Sequence, residues 1–495
     1  MITLGIDLGT SGVKALLLDA DRVVATTSAA LAVQRPRPGW SEQHPDDWWD
    51  ATCRCLDDLK SRHASELSAV RAIGLSGQMH GATLLDADDR VLRPCILWDD
   101  GRSAAECIEL ERAAPSLRDI TGNLAMPGFT APKLLWVRRH EPEVFRRTAR
   151  VLLPKAWLRW KLSGEFIEDL SDASGTLWLD VANRRWSPAL LEACGLGVGH
   201  MPRLVEGSDL AGTLRPEWVR RWGFASTPDL AGGAGDNAAG AIAVGAVKPG
   251  DAFVSLGTSG VLWATTARFA PAPQRAVHAF CHALPGTWHQ MGVMLSAAAC
   301  LAWWARVNGT TEEALLAELP ARPEAPAPCA FAPYLSGERT PHNDTSVRGG
   351  FVQLAASTTR AQMTQAVLEG VAHAFRDLRD ALAAAGTRLH EADLIGGGAR
   401  SAFWGDVLAS MLGMPLHRID GSDHGCAIGA ARLARACIDG DLAFAKPRRL
   451  RTHEPDPRLA AQYDASHAQW QSLYGLLRQV PPQAIPSTPV RDTSS

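Results

Sequence analysis

Leu8-Gly-Thr-Ser-Gly-Val13 and Leu256-Gly-Thr-Ser-Gly-Val261 are the same six residues, 248 positions apart in a chain of 495. Each follows a short apolar run, residues 2–6 or 252–254, and leads into another, residues 13–18 or 261–264. Both therefore read as strand, tight Gly-Thr-Ser-Gly turn, strand. Such a turn presents backbone N–H groups and hydroxyls in a concave array that suits an anion. Two of them at matching points of two halves predict two related α/β domains with one polyphosphate clamped between them. The copies differ just upstream, where Asp7 precedes the first and Ser255 the second.

Working outward from the first copy, Thr10, Ser11 and Gly12 are expected to hold phosphate oxygens, with Asp7 near a Mg²⁺ that bridges them. The plainer alternative is a hairpin whose Asp and Thr stabilise a turn. In the second copy Gly257 and Thr258 take the corresponding places. Gly12-Val-Lys14 evokes a Walker A loop, but its spacing is wrong and Ala15 follows the lysine, so a P-loop is rejected. Gly233-x-Gly235-x-x-Ala238 fits a dinucleotide fingerprint only loosely, without the acidic residue about 20 positions on.

Four more segments carry polar residues in glycine-rich breaks. Gly232-Gly-Ala-Gly-Asp-Asn237 interrupts an apolar run before a small-residue helix expected over residues 238–244. Asp236 there is a candidate general base, and the alternative is that Asp236 and Asn237 cap the helix. Gly77-Gln-Met-His-Gly81 ends an apolar run, and His80 is a candidate for a sugar hydroxyl or a satisfied structural histidine. Gly396-Gly-Gly-Ala-Arg-Ser401 opens a helix, where three glycines allow flat contact with a purine or simply a turn. His278, Cys281 and His282 have the spacing of metal ligands, but no second cluster accompanies them, so core or cleft histidines are favoured.

Composition narrows the class. A net charge of −3 gives no electrostatic reason to expect nucleic acid or an anionic membrane, and no apolar run reaches 18 residues. The ten cysteines are scattered without CxxC pairs, and the chain opens directly on a strand, so a reducing cytoplasm and no leader are expected. Among the 17 tryptophans, Trp48, Trp49, Trp98 and Trp136 lie among polar residues, as around a sugar or nucleotide, although core packing is the commoner use. Residues 248–250, Lys-Pro-Gly, form the expected hinge between halves. Residues 320–333, with five prolines, read as a linker or surface loop.

Taken in order, Asp7-Leu-Gly-Thr-Ser-Gly-Val-Lys14, Gly77-Gln-Met-His-Gly81, Leu97-Trp-Asp-Asp-Gly-Arg102, Gly128-Phe-Thr-Ala-Pro-Lys-Leu-Leu-Trp136, Gly235-Asp-Asn237, Ser255-Leu-Gly-Thr-Ser-Gly260, Tyr334-Leu-Ser-Gly-Glu-Arg-Thr-Pro-His342 and Gly396-Gly-Gly-Ala-Arg-Ser401 resemble the FGGY carbohydrate kinases. That family shares a superfamily with actin, hexokinase and the heat-shock chaperone ATPases. The 77–81 and 337–342 segments are similar to those of bacterial members that act on D-xylulose, and members acting on glycerol or ribulose differ there. One departure is Phe351-Val-Gln-Leu354, where many relatives have a glycine before the last apolar residue.

The resemblance implies two actin-like (ribonuclease H-like) domains, residues 1–247 and 248–479, followed by a disordered tail over 480–495. It implies ATP and Mg²⁺ in the cleft and a ketopentose, D-xylulose, deep against the first domain. Asp236 then serves as base, and Met79, His80 and Asn237 contact the sugar. Asp7 serves the Mg²⁺–phosphate end. Thr10, Ser11, Gly12, Lys14, Gly257 and Thr258 border the phosphates, and Gly397 and Gly398 lie near the adenosine. Neither nucleic acid nor membrane is an expected partner, and a homodimer stays open. The alternatives are the same chemistry on ribulose or glycerol, and, more remotely, an actin-like or chaperone-like nucleotide switch. The sugar-side segments 78–80 and 337–341 have no use in such a switch.

Overall fold

The computed structural model describes residues 1–420 and 425–480. The tail expected over 480–495 lies outside the described residues except for Val480. Two seven-stranded sheets organise the chain. In the first, Ile2–Leu8 runs between its antiparallel neighbour Gly12–Asp19 and the parallel strand Val70–Gly77. Arg22–Ala30 extends one edge; Asp229–Ala231 and then Leu210–Thr213 extend the other. In the second, Ala252–Leu256 runs between antiparallel Gly260–Thr266 and parallel Ala392–Ile395. Trp288–Met294 and His278–Cys281 extend one edge; Leu416–Ile419 and then Arg449–His453 extend the other.

Order and sense of pairing correspond strand for strand. The second sheet adds His278–Cys281, and the first adds the short Ala234–Gly235 against Val70–Gly77. The central strands are almost wholly apolar and buried, as strands covered on both faces must be. The chain is therefore the duplicated α/β architecture expected from the repeated hexapeptide.

Helices cover the sheets, and two of them, Asp236–Val244 and Gly425–Asp439, are rich in alanine and glycine. They pack on each other, and Gly425–Asp439 also lies across Ile2–Leu8 and Val70–Gly77 of the first sheet. The approach is close enough to need glycine: a β-carbon on Gly74 would sit 1.8 Å from the Ala430 carbonyl oxygen. A helix late in the sequence thus roofs the early sheet. The polypeptide passes from the first sheet to the second after Val244 and again after Asp439, where Arg449–His453 rejoins the second sheet. The first passage contains Lys248-Pro-Gly250, where Gly250 has φ +94°.

Two expectations are adjusted. The small-residue helix begins at Asp236 rather than 238, with Gly235 at its N-cap and no side-chain cap. Residues 320–333 are more than a linker, because Ala330–Ala332 pairs with Gly350–Val352. Phe331 is buried in the second core there, and the flanking prolines mask this short strand in the sequence. Among the described residues no helix is long and apolar enough to cross a membrane.

Candidate active site

The two identical hexapeptides do not fold into identical turns. Leu8 pairs with Val13, leaving four residues to close the first hairpin; Leu256 pairs with Gly260, leaving three in the second. The surroundings account for the difference. In the first turn the Gly9 N–H donates to the Gly12 carbonyl at 3.0 Å, and the Thr10 carbonyl accepts from Gln43 Nε2 at 2.7 Å. In the second, the carbonyls of Gly257 and Thr258 accept from the Ala298 and Ala297 N–H groups at 2.8 and 2.9 Å. Those donors belong to the start of the Ala298–Val307 helix, whose first N–H groups have no partner within the helix.

Register then decides what stands beside each turn. Asp7 lies opposite Lys14 on one neighbouring strand and Ser76 on the other. Ser255, the counterpart of Asp7, lies opposite Val261 and Ile395. Burial pushes the Asp7 carboxyl above the usual carboxylate range, and Ser76 and Lys14 offset part of that rise.

Asp236 stands at the first turn of its helix. Its Oδ1 accepts from the Asn237 N–H at 2.7 Å and from Asn237 Nδ2 at 2.9 Å. Asn237 therefore orients the carboxylate. Burial raises the pKa of Asp236 to about 6, the Asn237 hydrogen bonds lower it, and the Asp7 charge raises it further. A carboxylate with a pKa near the operating pH is suited to accept a proton.

A cavity of about 310 Å³ brings these groups together. Asp7, Lys14, Asp236 and Asn237 line it with Ser255 and Gly396. Cys426 closes one side, its Sγ donating to the Asp236 carbonyl at 3.3 Å. A larger cavity of about 1060 Å³ is lined by Gly257, Thr258, Gly397, Gly398, Ser401 and the Ala298–Val307 helix. Gly257 and Thr258 thus share a wall with the Gly397–Gly398 turn in a space large enough for a nucleotide.

The residues expected at the sugar, Met79 and His80, lie side by side near Gly235 and Gly175. Met79 is buried against Gly235, where a β-carbon would sit 2.9 Å from the Met79 Sδ. His80 adopts φ +69°; its carbonyl accepts from Thr130 Oγ1 at 3.1 Å and from Lys133 Nζ at 2.9 Å. His80 Nδ1 lies 2.7 Å from the Gly175 carbonyl. Burial drives the His80 pKa down to about 3, Gly175 raises it, and Lys133 and Arg339 lower it further. A neutral ring that donates through Nδ1 keeps Nε2 as an acceptor.

Thr10, Ser11 and Gly12 line neither cavity. The Thr10 hydroxyl donates to Gln78 Oε1 and accepts from Trp98 Nε1, both at 2.9 Å. Trp98 is the tryptophan of the four that reaches a candidate residue; Trp48 is core, Trp49 packs on Trp218 and Trp136 on Trp40. His278 Nδ1 lies 3.2 Å from Asn123 Oδ1, His282 Nε2 lies 3.2 Å from the Ala246 carbonyl, and Cys281 Sγ donates to the Val181 carbonyl. All three are buried and none belongs to a metal-like cluster among the described residues.

A buried polar cluster behind Asp236 had no sequence signal that singled it out: Lys155 pairs with Glu168, Asp169 and Asp172, all at most 1% exposed on their side chains. Only the acidic spacing at 168, 169 and 172 hints at it, and such spacing is usual on solvated loops.

Comparison with known proteins extends over nearly the whole chain. Residues 2–243 match the N-terminal domain and residues 252–437 the C-terminal domain of the FGGY family of carbohydrate kinases. The chain is 50% identical to a xylulose kinase of Escherichia coli (strain K12), over 95% of this chain and 98% of that protein. It is 49% identical to a xylulose kinase of Klebsiella pneumoniae, over 93% and 96%. The crystal structure of a xyloylose kinase from Brucella ovis superposes with a TM-score of 0.94 at 52% identity, covering 97% of this chain and all of that one. Two sheets of one topology, a cavity with paired carboxylates between them and these full-length matches establish that the chain belongs to the FGGY family of carbohydrate kinases.

Proposed function

We propose that the protein transfers the γ-phosphoryl group of ATP to the 5-hydroxyl of D-xylulose. The observation that carries the reading is the cavity in which Asp236, tuned to about 6, faces Asp7 and Lys14 next to a nucleotide-sized space. The choice of sugar is supported by the xylulose kinases that this chain resembles at about half identity over nearly full length.

Asp236 takes the proton of the sugar hydroxyl as that oxygen bonds to the γ-phosphorus. The bond from the γ-phosphorus to the bridging oxygen breaks, and ADP leaves. Asn237 holds Asp236 Oδ1, so Oδ2 is the oxygen left to receive the proton. Lys14 borders the phosphoryl group in transfer, and Thr10, Ser11 and Gly12 support that end from the first turn. Gly257 and Thr258 border the remaining phosphates, and Gly397 and Gly398 the adenosine. Met79 and His80 hold the sugar, His80 accepting a hydroxyl hydrogen bond at Nε2. Phosphoryl transfer asks the protein chiefly for alignment and electrostatics.

The residues present fit a Mg²⁺ ion at Asp7. Two half-buried carboxylates, Asp7 and Asp236, face one cavity, and oxygen donors are what this hard cation prefers. When bound, the ion would neutralise phosphate charge. We assign the domains as 1–247 and 248–479, hinged at residues 248–250, whose closure keeps water from the phosphoryl group. The ten unpaired cysteines support a reducing cytoplasm as the working compartment. A homodimer is the proposed assembly, to be checked by mass in solution.

The test is phosphate transfer measured over a panel of ketopentoses and polyols. D-xylulose should exceed ribulose and glycerol in kcat/KM; a preference for either of those reassigns the substrate. Sugar-independent ATP turnover would instead favour a nucleotide switch. Asp236→Asn should leave both substrates bound while lowering kcat at least about a hundredfold, the scale of losing a general base.

A further inference from the structure

The carboxylates of Glu168, Asp169 and Asp172 converge within 4.8 Å, a spacing that could hold a cation. Lys155 already fills the place: its Nζ lies 2.8 Å from Asp169 Oδ1, 3.5 Å from Asp172 Oδ2 and in contact with Glu168. The cluster is an ion-paired anchor, and its connections lead to the proposed base.

Asp169 caps the Leu170–Ala173 helix, its Oδ2 accepting from the Ser171 N–H at 2.7 Å and also from the Ser171 hydroxyl. That hydroxyl in turn accepts from the Gly235 N–H at 3.1 Å. Gly235 is the N-cap of the helix whose next residue is Asp236, and it has no capping side chain. A β-carbon there would press on Met79, 2.9 Å from its Sδ, so a side chain fits only if Met79 moves. A glycine is the softest point of a backbone, and this one sets the direction in which Asp236 leaves the sheet. Arg159, one turn along from Lys155 on the Pro154–Ser163 helix, donates to the Ala231 and Gly232 carbonyls and steadies the strand end just upstream.

We propose that Ser171 is a positioning residue for Asp236: its hydroxyl, held by the Lys155–Asp169 pair, pins the Gly235 peptide and so fixes the carboxylate against the sugar hydroxyl. The proposal rests on reading Asp236 as the base. It assigns the buried lysine and acids a role in turnover that does not require them to touch either substrate. Small misplacement of a reacting group costs far more in rate than in binding, so the signature is a split between kcat and KM.

The test compares Ser171→Thr with Ser171→Val, side chains of nearly equal volume that differ in the hydroxyl, alongside Ser171→Ala and Asp236→Asn in the full chain. With D-xylulose and MgATP, Ser171→Val and Ser171→Ala should lose on the order of tenfold or more in kcat, with both KM values within about twofold of wild type. Ser171→Thr should regain most of the loss. Equal kcat for the Thr and Val variants would overturn the proposal, as would a loss in the Ala variant that appears in KM alone. Ser171→Ala at wild-type kcat with Asp236→Asn inactive sinks the positioning role and leaves the base intact. Asp236→Asn near wild-type turnover sinks the base itself, whatever Ser171 does.

Discussion

Gly429 on one small-residue helix lies against the carbonyl oxygen of Ala239 on the other, so closely that a β-carbon on Gly429 would be 1.8 Å from that oxygen. The obstacle is backbone, so no rotamer can relieve it. The two helices join the passages between the sheets, and their separation sets how the two halves meet. Gly429→Val should destabilise the protein by about 3 kcal/mol, the upper end of the usual cost of overpacking. The thermal midpoint measures this; a value within one degree of wild type would show that the helices separate freely.

The pH profile follows from Asp236. As the proposed base its carboxyl must be ionised to accept a proton, and burial has raised its pKa to about 6. The ionised form is lost as pH falls through that value. Below about pH 6, kcat/KM should fall tenfold per pH unit, and above it the profile should be flat until another group titrates. An acid limb centred near pH 4, the ordinary carboxylate value, would contradict the buried setting.

Asp7 stands opposite Lys14 in the cavity assigned to metal and phosphate. Asp7→Asn keeps the shape and removes the charge. The Mg²⁺ concentration giving half-maximal activity should rise on the order of tenfold or more, the scale on which metal affinity responds to altered support. Titrating Mg²⁺ at saturating ATP and sugar measures it. An unchanged midpoint would move the metal away from Asp7.

Gly175 gives way to the ring of His80: a β-carbon there would lie 2.4 Å from Nδ1 and 2.5 Å from Cε1. Its backbone is helical, so alanine is tolerated locally and the conflict falls on the histidine first and then on the Met79 methyl at 3.1 Å. Gly175→Ala should raise KM for the sugar about tenfold, one hydrogen bond's worth, and leave KM for ATP unchanged. Parallel change in both would place His80 elsewhere than at the sugar.

Stability should carry the mark of Glu369, far from the cavity. This buried carboxyl accepts from the Ala327 N–H, Gln365 and the Tyr463 hydroxyl at 3.0, 2.8 and 3.0 Å, yet burial still raises its pKa from 4.5 to about 7. Between those values the folded protein holds a proton that the unfolded chain has lost. Stability from this group therefore falls as pH rises from 4.5 to 7, by up to about 3 kcal/mol. Thermal midpoints at pH 5 and pH 8 should drop further in wild type than in Glu369→Gln. Equal drops would show that Glu369 titrates normally.

The repeated hexapeptide made the duplicated sheets legible, because apolar runs on both sides of a glycine turn admit few other readings. Asp236 was legible as a candidate from its glycine-rich break, and Asp7 from standing where the second copy has Ser255. The unequal closure of the two turns was not, since it depends on N–H groups of Ala297 and Ala298 some forty residues away. Thr10 shows the same limit, because its hydroxyl is engaged by Gln78 and Trp98, neither near it in sequence. The Lys155–Asp169–Ser171 chain is silent in the sequence because each residue is ordinary alone and only the fold brings them to Gly235. Chain order also misplaces Gly425–Asp439, which belongs in space with the first sheet.

That last placement bears on how the protein is made. Every strand of the first sheet has been synthesised by residue 235, yet the helix that seats on Gly5 and Gly74 ends only at Asp439. A nascent chain therefore carries one face of its first sheet uncovered while about two hundred further residues are added. The early half completes its core only near the end of translation. Severing the gene between its repeats would yield two fragments, the first without its roof and the second with a helix that has nothing to cover.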